Sequence, residues 1–234
     1  MSLSLTSAFL VAEETVSAVV CFILVWFLLK PYLTTREGRY IGLPLGFGFL
    51  GASYVLAAIA HFISSPRFIV NDLAWFQLLA RPFAFAFLTF TYFYSNRPST
   101  KRLPWNITLS ALLVALTSLA ILVFIAPQVA FSNYRTLGIY VRVFCIICLV
   151  YISAHTLRRH LKAQNSKTIL TPFGFIFLGI SQYSLLIWAV EGGDLPFYSA
   201  LVIRWIGLAL FLLVAYRSFM TTKGVLNEEN SSKR

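Results

Sequence analysis

The chain has 234 residues, of which 59% are apolar and only 12% charged, with a formal charge of +11. A soluble domain carries about 25% charged residues, so this composition excludes an ordinary soluble protein. It also reassigns the positive charge: the basic residues stand in short links between apolar runs, which marks membrane topology rather than a nucleic-acid surface.

Seven apolar runs follow in chain order: Ala8–Leu29, Ile41–Ile63, Leu73–Tyr94, Ile107–Ala126, Leu137–Leu157, Ile169–Val190 and Phe197–Tyr216. Each has the length of a helix that crosses a hydrocarbon core of about 30 Å, and barrel strands of about 10 residues do not give such runs. The predicted fold is an all-α integral membrane protein with seven transmembrane helices. The first run starts without a basic leader or a small-residue cleavage site, so it reads as a helix and not as a removed signal. Pro31 is expected to end it, and Asp72 is expected to cap the third run. Pro82, inside the third run, predicts a local bend. Gly192-Gly-Asp-Leu-Pro196 reads as a tight turn, and residues 221–234 as a flexible polar tail.

The links after runs one, three, five and seven hold 14 basic residues, and the other links hold two, Arg67 and Arg135. That asymmetry puts the N-terminus outside and the C-terminus in the cytoplasm. Asn106-Ile-Thr108 matches a glycosylation pattern but falls on the inner side, where it is discounted.

A ten-residue stretch occurs twice. Pro44-Leu-Gly-Phe-Gly-Phe-Leu-Gly-Ala-Ser53 returns 128 positions later as Pro172-Phe-Gly-Phe-Ile-Phe-Leu-Gly-Ile-Ser181, with seven of ten positions identical. The third and seventh runs then align at an offset of 123, Arg81 on Arg204. The first and fifth align weakly, with Glu14 opposite Arg142. These matches predict a 3+1+3 plan: a repeat unit at 8–95, a linker helix at 107–126 and a second unit at 137–218. Three helices plus one linker give both units the same orientation, the parallel-repeat arrangement. Chance recurrence of Phe, Gly and Leu in membrane helices is the competing explanation. The repeated Gly and Ser positions fit seams where helices approach closely.

Under this topology Glu13, Glu14, Arg81, Arg142 and Arg204 fall in the outer half of the membrane, with Glu191 at the outer end of the sixth run. A charge at such depth faces the bundle interior, water or an opposite charge. Three arrangements fit: a fixed ion-pair network, a solvated outer pocket for an anionic or zwitterionic ligand or a translocation path, or snorkelling to the headgroups, for which Arg142 is best placed. Arg81 and Arg204 are expected to point inward, with Glu14 the first candidate partner and Glu191 the second. Tyr54, Trp75, Tyr92, Trp188 and Trp205 read as packing or interface aromatics. Cys145 and Cys148 share one helix face at i and i+3, where they could meet a metal or each other, but they read as buried small hydrophobes; His61, His155 and His160 lie too far apart in depth for one metal site. No catalytic motif, cofactor motif or nucleic-acid surface stands out, so the chain does not read as an enzyme.

The helix number, outer N-terminus, repeated Gly-Phe-x-Phe-Leu-Gly and arginine-led Phe/Leu-rich helix resemble the seven-helix membrane sensor regions of prokaryotic signalling proteins. The resemblance implies a multi-pass protein of a prokaryotic cell membrane that needs a membrane or cytoplasmic protein partner, because no kinase portion is present here. The plan is also similar to the parallel-repeat sugar transporters, though the prolines of their first helices are missing. The function read from the sequence is a receptor-like or partner-binding membrane protein with an outer polar cluster. The alternatives are a small-solute transporter and an accessory subunit of a membrane complex.

Overall fold

The computed structural model describes residues 5–35, 41–62, 67–95, 102–125, 134–163 and 169–232. The described residues form seven helices: α1 (Leu5–Thr35), α2 (Gly42–Phe62), α3 (Arg67–Ser95), α4 (Arg102–Ile125), α5 (Tyr134–Ala163), α6 (Leu170–Glu191) and α7 (Asp194–Ser232). Five of them hold stretches long and apolar enough to cross a membrane: Ala8–Lys30, Gly42–Phe62, Thr136–Lys162, Leu170–Glu191 and Asp194–Ser218. The chain is a multi-span helical membrane protein. α4 holds a shorter apolar stretch, Pro104–Leu119. α3 is not among the five spans, and it interleaves its apolar residues with Arg81, Thr89, Thr91, Tyr92 and Tyr94.

Two local expectations are corrected. α1 runs through Pro31 to Thr35, because a proline forfeits one helical hydrogen bond without forbidding helical dihedrals on either side. α3 begins at Arg67, so Asp72 lies inside the helix and does not cap it. Helical backbone runs on from Thr221 to Ser232, a stretch without proline whose one glycine, Gly224, weakens a helix by only about 1 kcal/mol. The turn after α6 is as its composition predicts. Gly192 adopts φ 79°, a left-handed conformation natural to glycine, and its N–H caps the helix on the Trp188 carbonyl at 2.8 Å. The link residues Arg36, Glu37, Arg39, Arg97, Lys101 and Lys167 lie outside the described residues.

Six helices close into a ring. α1 packs on α2, α2 on α3, α3 on α5, α5 on α6, α6 on α7, and α7 on α1, while α4 stands outside against α3. The core runs down the middle and draws on all six: Cys21 and Leu24 from α1, Leu50 and Tyr54 from α2, Phe85 and Leu88 from α3, Leu149 and Ile152 from α5, Phe175 and Leu178 from α6, Leu208 and Phe211 from α7. The outside is as apolar as the inside, with Trp26, Val114, Ile147 and Val202 all exposed. Lipid, not water, suits such a surface.

The twice-occurring stretch opens α2 and α6. Pro44, Gly46, Phe47, Leu50 and Ser53 are buried in α2, and Pro172, Gly174, Phe175, Leu178 and Ser181 are buried in α6. The close approaches match as well. A Cβ on Gly46 would stand 2.5 Å from Leu88 and 3.1 Å from the Ala84 carbonyl, and one on Gly174 would stand 2.8 Å from the Phe211 ring. A Cβ on Gly207, in turn, would meet the Gly174 carbonyl at 3.1 Å. Gly51 faces Cys21 at 3.1 Å, and Gly179 faces Leu149 at 3.7 Å. Small residues here let neighbouring backbones come together where no hydrophobic force drives helix association in lipid.

Candidate functional site

Glu13 and Glu14 lie near the N-terminal end of the α1 span, and Arg204 lies within the α7 span. All three side chains turn into the bundle. Glu13 is 1% exposed and Arg204 2%, which makes Arg204 one of the largest fully buried side chains. An isolated charge in such a place costs several kcal/mol, roughly, so it must be paired and hydrogen-bonded. Arg204 meets both glutamates. Its Nε donates to Glu13 Oε1 at 3.1 Å, its Nη2 donates to the same oxygen, and Nη2 lies 3.2 Å from Glu14 Oε1. Ser17, one turn along α1, donates a long hydrogen bond of 3.4 Å to Glu13 Oε1.

Arg81, from α3, completes the group more loosely. Its Nη2 is 4.0 Å from Glu14 Oε1, too far for a hydrogen bond. The Tyr54 ring of α2 is close to both arginines, 4.4 Å from the Arg204 guanidinium carbon and 5.6 Å from that of Arg81. The face of an aromatic ring attracts a cation, most strongly when water is excluded. Three buried polar atoms of the cluster make no hydrogen bond: Glu13 Oε2 and Glu14 Oε2 accept none, and Arg81 Nε donates none. The cluster thus spans α1, α2, α3 and α7 and ties the beginning of the chain to its end.

Of the six residues singled out in the sequence, Glu13, Glu14, Arg81 and Arg204 come together. Arg142 does not join them. It donates to the Leu185 carbonyl and lies 5.6 Å from the Trp188 ring, both on α6. Glu191 is exposed at the end of α6 and is not the second partner. Tyr54 and Ser17 were not legible as site residues. The available signal for Tyr54 was that it directly follows the repeated serine, where the second copy carries the polar Gln182, also buried.

Elsewhere, Cys21, Cys145 and Cys148 are free and buried. His155 stands between Tyr92 and Tyr151, with ring centroids 6.1 and 6.0 Å away. Among the described residues, no group of three or more His, Cys, Asp or Glu side chains is placed to hold a metal. Chemically, the cluster holds both charge and unfilled hydrogen-bonding capacity inside the bundle. No protein-family model, curated protein or solved structure matches this chain.

Proposed function

We propose that the protein is a receptor-like membrane protein whose responsive centre is the Glu13–Glu14–Arg81–Arg204 cluster, and that it passes its signal to a membrane or cytoplasmic protein partner. One observation carries the reading: a buried charged cluster that joins α1 to α7 keeps two carboxylate oxygens and one guanidinium nitrogen without partners. A purely structural ion pair gains from having every such atom satisfied, and an unfilled one is a point where a ligand adds binding energy. In this reading the N-terminus is outside, the C-terminus is cytoplasmic, and the cluster lies in the outer half of a prokaryotic cell membrane.

The test is thermal unfolding of the purified protein at constant pH against carboxylates, phosphate, amino acids and quaternary amines. At least one class should raise the melting temperature of the wild type and leave Arg81→Gln unmoved. A flat response across the panel, in a protein whose melting temperature is equally indifferent to pH, contradicts the reading. Orientation has its own check. A cysteine introduced at Gly193 should react with an impermeant thiol reagent from outside intact cells, and one introduced in the 164–166 link should not. The reverse pattern inverts the topology.

A small-solute transporter is the second reading, favoured by one specific observation. The Gly46–Leu88 and Gly51–Cys21 contacts recur as Gly174–Phe211 and Gly179–Leu149, at the same offsets that align the two halves of the sequence. This supports a duplicated three-helix unit in a 3+1+3 plan, an architecture that suits alternating access. Solute uptake into proteoliposomes that depends on Arg81 and Arg204 would decide for it.

A further inference from the structure

We propose that the ligand of the cluster is the proton, taken up and shared by the adjacent carboxyls of Glu13 and Glu14. The inference rests on reading the cluster as a responsive centre, and it names what that centre binds.

The argument begins with the balance of charge. Glu13 and Glu14 are consecutive residues of one helix, and both reach the same nitrogen, Arg204 Nη2. Two carboxylates that share a site do not ionise independently, because each negative charge opposes the other. Only one guanidinium is close to both. Arg81 stands 4.0 Å from Glu14 Oε1 and lies over the Tyr54 ring.

The balance of hydrogen bonds points the same way. An ionised carboxylate only accepts hydrogen bonds, whereas a protonated one also offers an O–H donor. Oε2 of Glu13 and Oε2 of Glu14 are both buried and receive nothing. Among the fully buried atoms of the cluster, two acceptors and one donor, Arg81 Nε, make no hydrogen bond. A proton on either carboxyl turns an idle acceptor into a donor and removes one of two neighbouring negative charges.

The groups that face the pair from the surrounding helices are few. α2 presents Tyr54, α3 presents Arg81, and α7 presents Arg204. On α1 itself, Ser17 lies one turn along and Cys21 two turns along. Tyr198 of α7 lies farther out, against Phe9 at 6.4 Å. No other carboxylate contacts the cluster among the described residues, so the glutamate pair is where a proton is taken up. The step is simple: one carboxylate and one proton give one carboxylic acid, with no other reactant. Its consequence is directional. Protonation removes negative charge facing Arg204, so acid loosens the α1–α7 contact and alkali tightens it.

Infrared difference spectra between acid and neutral pH test this on the full chain in lipid vesicles. The expected result is a carboxylic-acid carbonyl band at the high frequency of a buried acid, shifted in heavy water and lost in Glu13→Gln or Glu14→Gln. Should those variants fail to fold, Glu13→Asp and Glu14→Asp keep a carboxyl and should displace the band. A spectrum with only the bands of exposed acids, or a buried-acid band that none of these variants moves, overturns the proposal. Because the compound panel is run at constant pH, a negative infrared result beside a positive panel removes the proton and leaves the responsive centre standing.

Discussion

Replacing Arg204 with leucine is expected to leave little folded protein, with a loss of about 3–5 kcal/mol, the usual cost of removing one partner from a buried ion pair. Against a total stability of about 5–15 kcal/mol, that is a large share. The reason lies in what remains. Glu13 and Glu14 stay buried, at 1% and 6% exposure, next to each other and without their close cation. Thermal unfolding in detergent and the yield of monodisperse protein measure the effect. The same leucine combined with Glu13→Gln and Glu14→Gln should recover much of the loss, since neutral amides do not need a buried cation. Arg81→Leu should cost less, because Arg81 sits 4.0 Å from its nearest carboxylate and its side chain keeps 12% exposure.

The second large effect is steric. Gly46→Leu places a branched side chain where even a Cβ would lie 2.5 Å from Leu88 and 3.1 Å from the Ala84 carbonyl. A leucine can turn aside, but a helix backbone cannot yield without separating α2 from α3. Overpacking of this kind costs about 1–3 kcal/mol, and we expect the upper end. Gly174→Leu should behave alike against the Phe211 ring, though a ring swings more easily than a carbonyl. Gly48→Leu is the control, since its nearest neighbour is Val25 at 3.8 Å and the substitution should be mild. Unfolding midpoints of the three variants check the order.

The sequence made the seven helices and the five membrane-length spans among them legible, because these are carried by one-dimensional signals. Apolar runs of fixed length mark helices in lipid. The level of Glu13, Glu14, Arg81 and Arg204 along their helices was legible too, since these four side chains meet. Azimuth was not. A helix apolar on all sides gives no stripe from which to read its inward face. Arg142 stands near the same depth, yet it turns to the Leu185 carbonyl and Trp188 on α6. Glu191, expected as a second partner from its place at the outer end of the neighbouring helix, is exposed. Tyr54 was hidden as an aromatic among aromatics, and only its place close to two guanidinium groups distinguishes it. Helix ends were read too early at Pro31 and too late at Asp72, because local breakers were weighed more heavily than the packing that carries a helix past them.

The account turns on Glu13 and Arg204 acting as one unit across the seam between α1 and α7. A double-mutant cycle tests this most directly, with Glu13→Gln and Arg204→Gln made singly and together and unfolding followed in mixed micelles. Residues in contact within one ion-pair network couple by about 0.5–3 kcal/mol, and the two hydrogen bonds and full burial of this pair place it at about 2–3 kcal/mol. Glu191→Gln with Arg204→Gln serves as the reference cycle and should be additive within about 0.5 kcal/mol. A coupling for Glu13 and Arg204 no larger than that of the reference would contradict the account.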